Sequence, residues 1–215
     1  MPMTYTILTG AKSVAGSIAS WVNNSSFPAS TVLEEAEAWI YGRLRVREML
    51  TALDGTMVTG AAGATIPLPD DFEAMSWLGY RGQWTGRIAP LPPDELQDLR
   101  QFDASNGYVL APGQPFRYSL RGTVVEFPRA PDQPYTYRQV HYARPAPLSS
   151  SNETNWLTRR APRLVRQACC AFASEFMKAE GEKLYWLNLA QAAIDELNAT
   201  SDGEMGGLIA DMQAV

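Results

Sequence analysis

The chain has 215 residues, of which 46% are hydrophobic and 19% are charged, and its formal net charge is −5. A chain of this length can bury a proper hydrophobic core and is expected to form one or two domains. Its apolar runs are too short for a membrane span, which requires roughly 20 apolar residues, and its N-terminus lacks the pattern of a secretory signal. We therefore expect a soluble globular protein that has no membrane partner and is made and kept in a cytoplasm.

Charge is spread evenly along the chain except at its C-terminal end, where residues 201–215 carry three acids and no basic residue. No segment has the excess of basic residues that marks a nucleic-acid-binding surface. Arginine outnumbers lysine fifteen to three. This bias favours bidentate pairing at protein interfaces, although a GC-rich genome would produce it equally well.

Two helices are predicted before residue 50. Residues 4–23 predict a first helix that is kept slim by glycine and alanine, and the polar run 23–28 ends it. Thr31 and Glu34 match a capping box and predict the start of a second helix. The apolar positions of this second helix, which should face inward, are Leu33, Ala36, Ile40 and Leu44.

From about Met49 the pattern changes to the alternation of strands, with glycine and proline between them. Arg121 and Gly122 predict the tight turn of a hairpin, and the prolines at 92–93 open one short helix. The predicted strands cover residues 56–59, 65–68, 74–80, 115–120, 123–127 and 135–143.

Two further helices joined by a tight turn are predicted between residues 156 and 198. Apolar residues recur every three or four positions over residues 161–178, then Glu180 and Gly181 interrupt the pattern before it resumes. Trp186 widens the second apolar stripe into a second facet, which would face a neighbouring molecule. Neither pair of helices can bury its apolar stripe alone, so we expect the two pairs to pack together.

These patterns predict an α+β fold. Residues 1–49 and 146–200 are expected to form one helical bundle, into which residues 50–145 insert a small β domain. Residues 201–215 are expected to form an extended tail, because a short acidic segment with three glycines cannot fold alone.

Residues with catalytic chemistry are sparse. The single histidine, His141, lies in a predicted strand, and the two cysteines, Cys169 and Cys170, are adjacent in a helix and point about 100° apart. We interpret the histidine as a hydrogen-bonded strand residue and the cysteines as reduced core thiols rather than a redox pair. No metal or other cofactor is expected.

Three segments together resemble the podovirus-type head-to-tail adaptor proteins, also called head-completion or connector proteins. They are AEAWI through LRVRE in residues 36–48, IPLPDDF in residues 66–72, and HYA through LSSSNETNWL in residues 141–157. The resemblance continues with a helix that starts at Ala161-Pro162 and with a second helix that ends near Asn198. It covers most of residues 5–200, apart from residues 79–114.

The resemblance implies a structural, non-enzymatic subunit of the virion neck, assembled in the host cytoplasm. It implies a ring of twelve copies beneath the portal protein, which offers a platform to a tail tube or nozzle protein, with tail fibres as a further candidate partner. DNA would pass through the lumen without sequence-specific binding. The C-terminal tail would reach along the portal.

Arginine-rich and acidic helix ends supply the candidate contacts between subunits. Asp195 and Glu196 are expected in a last helical turn, where the helix dipole disfavours negative charge, so that cations of a neighbouring subunit would compensate them. The subunit-interface candidates are Arg43, Arg45, Arg47, Arg159, Arg163, Arg166, Trp186, Asp195 and Glu196. The portal-binding candidates are the apolar residues of the tail, Leu208, Ile209 and Met212.

Two alternatives remain open at the sequence level. Asp70 or Asp71 could act with Glu73 or Glu126 as the paired carboxylates of a virion-associated peptidoglycan hydrolase, or the acids of residues 70–73 could hold a divalent cation. A turn of solvated acids explains residues 70–73 as well. The aromatic residues scattered over residues 72–142 could bind a sugar, although at this spacing they more often fill a small β core.

Overall fold

The computed structural model describes residues 3–60, 64–81, 86–105 and 111–213, and the side chains of all these residues except 100–105 and 202–213. It contains both helices and sheets, which confirms the α+β class. In chain order the elements are α1 (Tyr5–Leu8), α2 (Ile18–Trp21), α3 (Ala29–Arg43), a 3-10 turn (Arg47–Met49), β1 (Leu50–Met57), β2 (Thr65–Pro67), β3 (Phe72–Tyr80), β4 (Ala89–Pro90), α4 (Pro93–Ser105), β5 (Arg117–Arg121), β6 (Val124–Glu126), β7 (Tyr135–Ala143), α5 (Trp156–Arg160), α6 (Pro162–Phe176) and α7 (Glu180–Gln213).

The chain divides into two compact units. The helical unit combines Met1–Met49 with Arg144–Val215, and the β unit is Leu50–Ala143. No helix in the part of the chain that the structure describes is long and apolar enough to span a membrane.

The N-terminal segment contains two short helices, so the single helix expected over residues 4–23 is wrong. Gly16 adopts a positive φ of 91° between α1 and α2, a conformation that side chains other than glycine rarely adopt. Ser17 then caps α2, because its hydroxyl oxygen accepts a hydrogen bond from Ser20 N at 3.0 Å. This glycine and the new cap that follows it prevent one continuous helix.

Helix α3 begins at Ala29, two residues before the predicted capping box. Its N-cap residue is Pro28, and no side-chain hydrogen bond caps it, so the capping-box prediction is wrong. The predicted inward face is confirmed. Its four residues are at most 1% exposed: Leu33, Ala36, Ile40 and Leu44.

A buried carboxylate joins α3 to the segment that precedes α5. Glu37 is only 3% exposed, and its Oε2 accepts a hydrogen bond from Leu148 N at 3.0 Å while Oε1 accepts one from Asn155 Nδ2 at 3.0 Å. Asn155 Nδ2 also donates to the hydroxyl of Tyr41 at 3.0 Å. Asn155 caps α5 through a capping box with Thr158. We call Glu37, Tyr41, Leu148 and Asn155 the Glu37 network.

The α6–α7 hairpin turns at residues 177–179. Lys178 adopts a positive φ of 58° there, and α7 begins at Glu180, so the interruption lies just before Glu180 and Gly181 rather than at them. Lys183 Nζ bridges to Glu175 Oε1 at 2.9 Å across the turn. Several small residues of the two helices are fully buried, namely Ala168, Cys169, Ala173 and Ala190.

Helix α7 is longer than the sequence pattern predicts. We expected a helix end near Asn198 and an extended segment after it, whereas the described backbone stays helical to Gln213. No proline follows Pro162 in the sequence, and although glycine weakens a helix it does not stop one. Asp195 and Glu196 therefore lie inside α7. Residues 214 and 215 of the predicted tail lie outside the described residues.

The β unit contains two sheets. Their strand orders are β1-β7-β3 and β2-β6-β5-β4, with antiparallel pairing except between β4 and β5. The predicted strand over residues 135–143 is confirmed, and so is the β5–β6 hairpin, in which Gly122 has a φ of 57°. Five aromatic side chains belong to the hydrophobic core of this unit: Tyr80, Tyr118, Phe127, Tyr135 and Tyr137.

The Glu37 network is expected to make the free energy of unfolding depend on pH. Burial raises the pKa of Glu37 above its ordinary value of 4.5, against the opposing effect of its hydrogen bonds. The folded state therefore holds the proton more tightly than the unfolded chain does. The contribution of this group to the free energy of unfolding is fully present below pH 4.5 and is lost as the pH rises through the folded-state pKa.

We expect Glu37→Gln to remove this pH-dependent term. At low pH the variant should be less stable than the wild type by about 1–3 kcal/mol, because an amide cannot accept both hydrogen bonds, and the difference should shrink as the pH rises. Urea unfolding across a pH series measures it. Glu35→Gln, at an exposed position of the same helix, is the matched control, and parallel stability curves for wild type and Glu37→Gln would contradict the prediction.

Candidate subunit and partner interfaces

Two of the arginines at the end of α3 bind carbonyl groups of their own helix. Arg43 Nη1 donates to Trp39 O at 3.2 Å, and its guanidinium lies 4.6 Å from the centre of the Trp39 ring. Arg45 donates to Tyr41 O and to Gly42 O, each at 3.0 Å. Carbonyls in a last helical turn lack partners within the helix, so these contacts stabilise the helix end. Two of the predicted subunit-interface residues, Arg43 and Arg45, thus already have hydrogen-bond partners within their own subunit.

The segment that follows α3 is held by side chains of α7. Asn198 Oδ1 accepts a hydrogen bond from Arg45 N at 2.7 Å, and its Nδ2 donates to Arg43 O at 3.2 Å. Ser201 is 5% exposed, and its hydroxyl accepts a hydrogen bond from Arg47 N at 3.0 Å. We call Asn198 and Ser201 the α7 clamp. The sequence pattern missed it because both residues were assigned to a helix end and a tail.

A mainly apolar groove lies beside the start of α6, and we call it the α6 groove. Its volume is about 390 Å³. Arg163 and Arg166 are exposed and border it, and neither forms an ion pair with any side chain that the structure describes. The sequence placed both arginines among the interface candidates but did not predict a groove. The other residues that line it are Met3, Ile7, Ala15, Gly16, Trp21 and Pro162.

The opposite end of α6 carries an exposed apolar surface, which we call the hairpin ridge. Phe176 is 42% exposed, Leu184 58% and Tyr185 59%. Trp186 is half-buried, and its ring lies edge-on to Tyr185 at a centroid distance of 5.2 Å. The sequence pattern assigned Phe176 and Leu184 to core stripes and found only Trp186 as an interface candidate. The turn after Phe176 explains the difference, because side chains beside it have fewer neighbours to cover them.

The remaining interface candidates have different surroundings. Arg159 is exposed in the last turn of α5, and Arg47 lies 3.8 Å from Glu48. Asp195 and Glu196 are exposed, and Asp195 Oδ1 accepts a hydrogen bond from Gln191 at 2.9 Å. The two acids lie in the interior of α7, so the helix-dipole argument for a neighbouring cation does not apply to them.

The portal-binding candidates lie in the last part of α7. The backbone of Leu208, Ile209 and Met212 is helical, and their side chains lie outside the described ones. Nothing in the geometry therefore adds to the sequence argument for these three residues.

The carboxylates of the hydrolase alternative lie on two sheets. Asp70 and Asp71 form a turn before β3 and Glu73 lies on β3, whereas Glu126 lies on β6 and is 3.4 Å from Arg121 Nη1. Asp71 Oδ1 is 3.7 Å from Nε2 of the buried His141, beyond hydrogen-bonding distance. Within the described residues no cluster of histidine, cysteine, aspartate or glutamate side chains could hold a metal ion.

The two cysteines are free and buried. Burial raises the pKa of Cys169 well above its ordinary value and raises that of Cys170 to about 11. A thiol is reactive as its thiolate, so these residues are unreactive core side chains at neutral pH.

The β unit carries a second, larger cleft. Its volume is about 640 Å³, and it lies beside the parallel β4–β5 pair. Phe116, which is 53% exposed, and Leu99, which is 40% exposed, contribute apolar surface to it. Glu95, Asp98 and Arg117 supply its charged groups.

The structure defines an α+β protein with exposed apolar surfaces on its helical unit and a cleft on its β unit. A family model described as SU10 adaptor protein matches residues 3–210, nearly the whole chain, and the chain belongs to that family. It is therefore a phage head-to-tail adaptor, a structural protein of the virion neck that associates with portal and tail components. No curated protein matches the chain significantly.

The α7 clamp predicts a stability difference between neighbouring residues of one helix. Asn198→Ala leaves one N–H and one C=O without their partner, so we expect a loss of about 1–3 kcal/mol in the free energy of unfolding. Thr200→Ala is the matched control, since its hydroxyl bonds only Glu196 O of its own helix. It should cost about 0.5 kcal/mol or less. Urea unfolding followed by circular dichroism measures both, and equal losses would argue against the clamp.

Proposed function

We propose that this adaptor assembles into a ring that joins the portal to the next tail component, and that the ring has twelve copies, as the resemblance implies. Head-to-tail contacts between copies require two different complementary surfaces on each subunit, and such contacts close into rings. The helical unit carries two such surfaces, the α6 groove and the hairpin ridge. This pair of unlike surfaces, on a chain that belongs to an adaptor family, is the observation that carries the proposal.

The contacts between subunits centre on the groove arginines and on Trp186. Arg163 and Arg166 are exposed beside an apolar groove, and tryptophan and arginine are the residue types that most often dominate binding energy at interfaces. Arg43 and Arg45 already bind the end of α3, so they contribute less. Arg47, Arg159, Asp195 and Glu196 remain proposed rim contacts, where exposed charges contribute little to affinity but guide association.

The portal contact is made by the end of α7, after Ser201. This segment has three acids, no basic residue and the apolar residues Leu208, Ile209 and Met212. An amphipathic helix of this kind binds by placing its apolar side chains in a groove of the partner. The α7 clamp bonds Asn198 and Ser201 to their own chain, so the portal-binding segment begins beyond them.

The ring offers its other partner surface to a tail tube or nozzle protein, with tail fibres as a further candidate, and it is assembled in the host cytoplasm. DNA passes through its lumen without sequence-specific binding. The sequence supports this part of the proposal, because none of its segments has the excess of basic residues that neutralises phosphates and holds a duplex.

Truncation after Asp202 tests the portal contact. Because both residues of the α7 clamp remain, the shortened chain should fold with unchanged stability, but its occupancy on portal-containing heads should fall by about tenfold or more. Sedimentation of the heads followed by blotting measures the occupancy. The full-length Glu35→Gln variant, at an exposed position of α3, is the control and should still bind. Wild-type occupancy by the truncated chain would refute the proposal for the tail.

A further inference from the structure

We propose that the hairpin ridge of one copy inserts into the α6 groove of the next copy in the ring. This inference rests on the proposed ring assembly and adds the identity of the two surfaces that meet.

The ridge has the properties of an interface centre. Phe176, Leu184 and Tyr185 are all more than 40% exposed, and Leu184 and Tyr185 are consecutive residues of α7, whereas exposed large apolar residues on a monomer usually occur singly. The salt bridge of 2.9 Å between Lys183 of α7 and Glu175 of α6 joins the two helices next to these residues. Tyr185 and Trp186 are already in edge-on contact, so little side-chain freedom would be lost on binding.

The groove has the complementary shape and chemistry. It is concave and mainly apolar, with Trp21 and Ile7 among its lining residues, and none of the described residues that line it is acidic. Arg163 and Arg166 place two positive charges at its edge. Tryptophan and arginine that border an apolar depression form the kind of site that receives a protruding apolar residue of a partner.

The charges around the ridge are opposite in sign to those of the groove. Three acids surround the ridge, Glu175, Glu180 and Glu182, against two lysines, Lys178 and Lys183. The lysines leave one net negative charge, which meets the two arginines of the groove. Contact between like surfaces is disfavoured because two grooves would place four arginines together.

The positions of the two surfaces make the contact head-to-tail. The groove borders the first turn of α6 and the ridge includes its last residue. A helix of 15 residues is about 22 Å long, so one subunit cannot bring its own ridge into its own groove. A second copy is the partner that carries the missing surface, and repetition of this contact generates a closed ring.

Cysteine cross-linking of full-length protein assembled on portal-containing heads tests the contact. Ala15→Cys in the groove combined with Leu184→Cys in the ridge should give a ladder of disulfide-linked subunits on non-reducing gels. The native cysteines are at most 2% exposed and should not compete. Each single variant, and Ala15→Cys combined with Leu53→Cys in the β unit, should give no ladder. Rings that form without the ladder would overturn the inference.

A charge-reversal experiment tests the same contact by assembly. Tyr185→Arg places a cation against the groove arginines and should reduce ring formation by about tenfold or more, while Arg163→Glu with Arg166→Glu in the same chain should restore it. Leu53→Arg, at a position that is 41% exposed, should assemble normally. Circular dichroism verifies folding, and normal assembly by Tyr185→Arg would overturn the inference.

Electron microscopy of the same samples separates this inference from the proposed function. If the unmodified chain forms no ring on the portal, the proposed function fails. If it forms rings but the ridge and groove variants neither cross-link nor disturb assembly, the function stands and the ridge-in-groove contact is wrong.

Discussion

The packing of the helical unit depends on one buried carboxylate, that of Glu37, which requires hydrogen-bond donors. Glu37 lies in the core, where an unpaired charge is unfavourable, and its donors come from Leu148 and Asn155, which are 111 and 118 residues further along the chain. The burial that raises its pKa shows that the hydrogen bonds compensate desolvation only in part. The N-terminal and C-terminal segments must therefore come together before Glu37 can be buried, although the whole β unit separates them in sequence.

Local patterns predicted the elements that depend on local chemistry. The strand over residues 135–143, the Gly122 turn and the inward face of α3 follow from alternation, turn residues and helical spacing, and all are present. The Glu37 network could not be predicted, because in sequence Glu37 resembles the exposed Glu34 and Glu35. Only the partners of Glu37, which are distant in sequence, distinguish it. The length of α7 was missed for the opposite reason, since its glycines indicate a helix end that the rest of the helix overrides.

The candidate subunit interface was likewise only partly predictable from local sequence patterns. The sequence offers no basis for dividing the arginines into groups. In the structure they differ in the groups that their guanidinium groups contact. Arg43 and Arg45 reach carbonyls at the end of their own helix, while Arg163 and Arg166 follow a proline at the start of α6. Free carbonyls occur only at the other end of a helix, so an arginine in a first turn has none to bind and stays available for a partner. Position within the helix thus separates the arginines that cap their own helix from those that remain candidates for an interface.

The packing of the α6–α7 hairpin affects how uniform the contacts between copies can be in the proposed ring. Ala168, Ala173 and Ala190 are small and fully buried residues of these two helices, and a closely packed interior leaves little space for movement. The hairpin ridge lies on this pair of helices, and the α6 groove lies between the start of α6 and the N-terminal segment. A ring closes only when each subunit repeats the same rotation. In the proposed ring, small buried residues of the helical unit would therefore help to keep the contact between copies uniform.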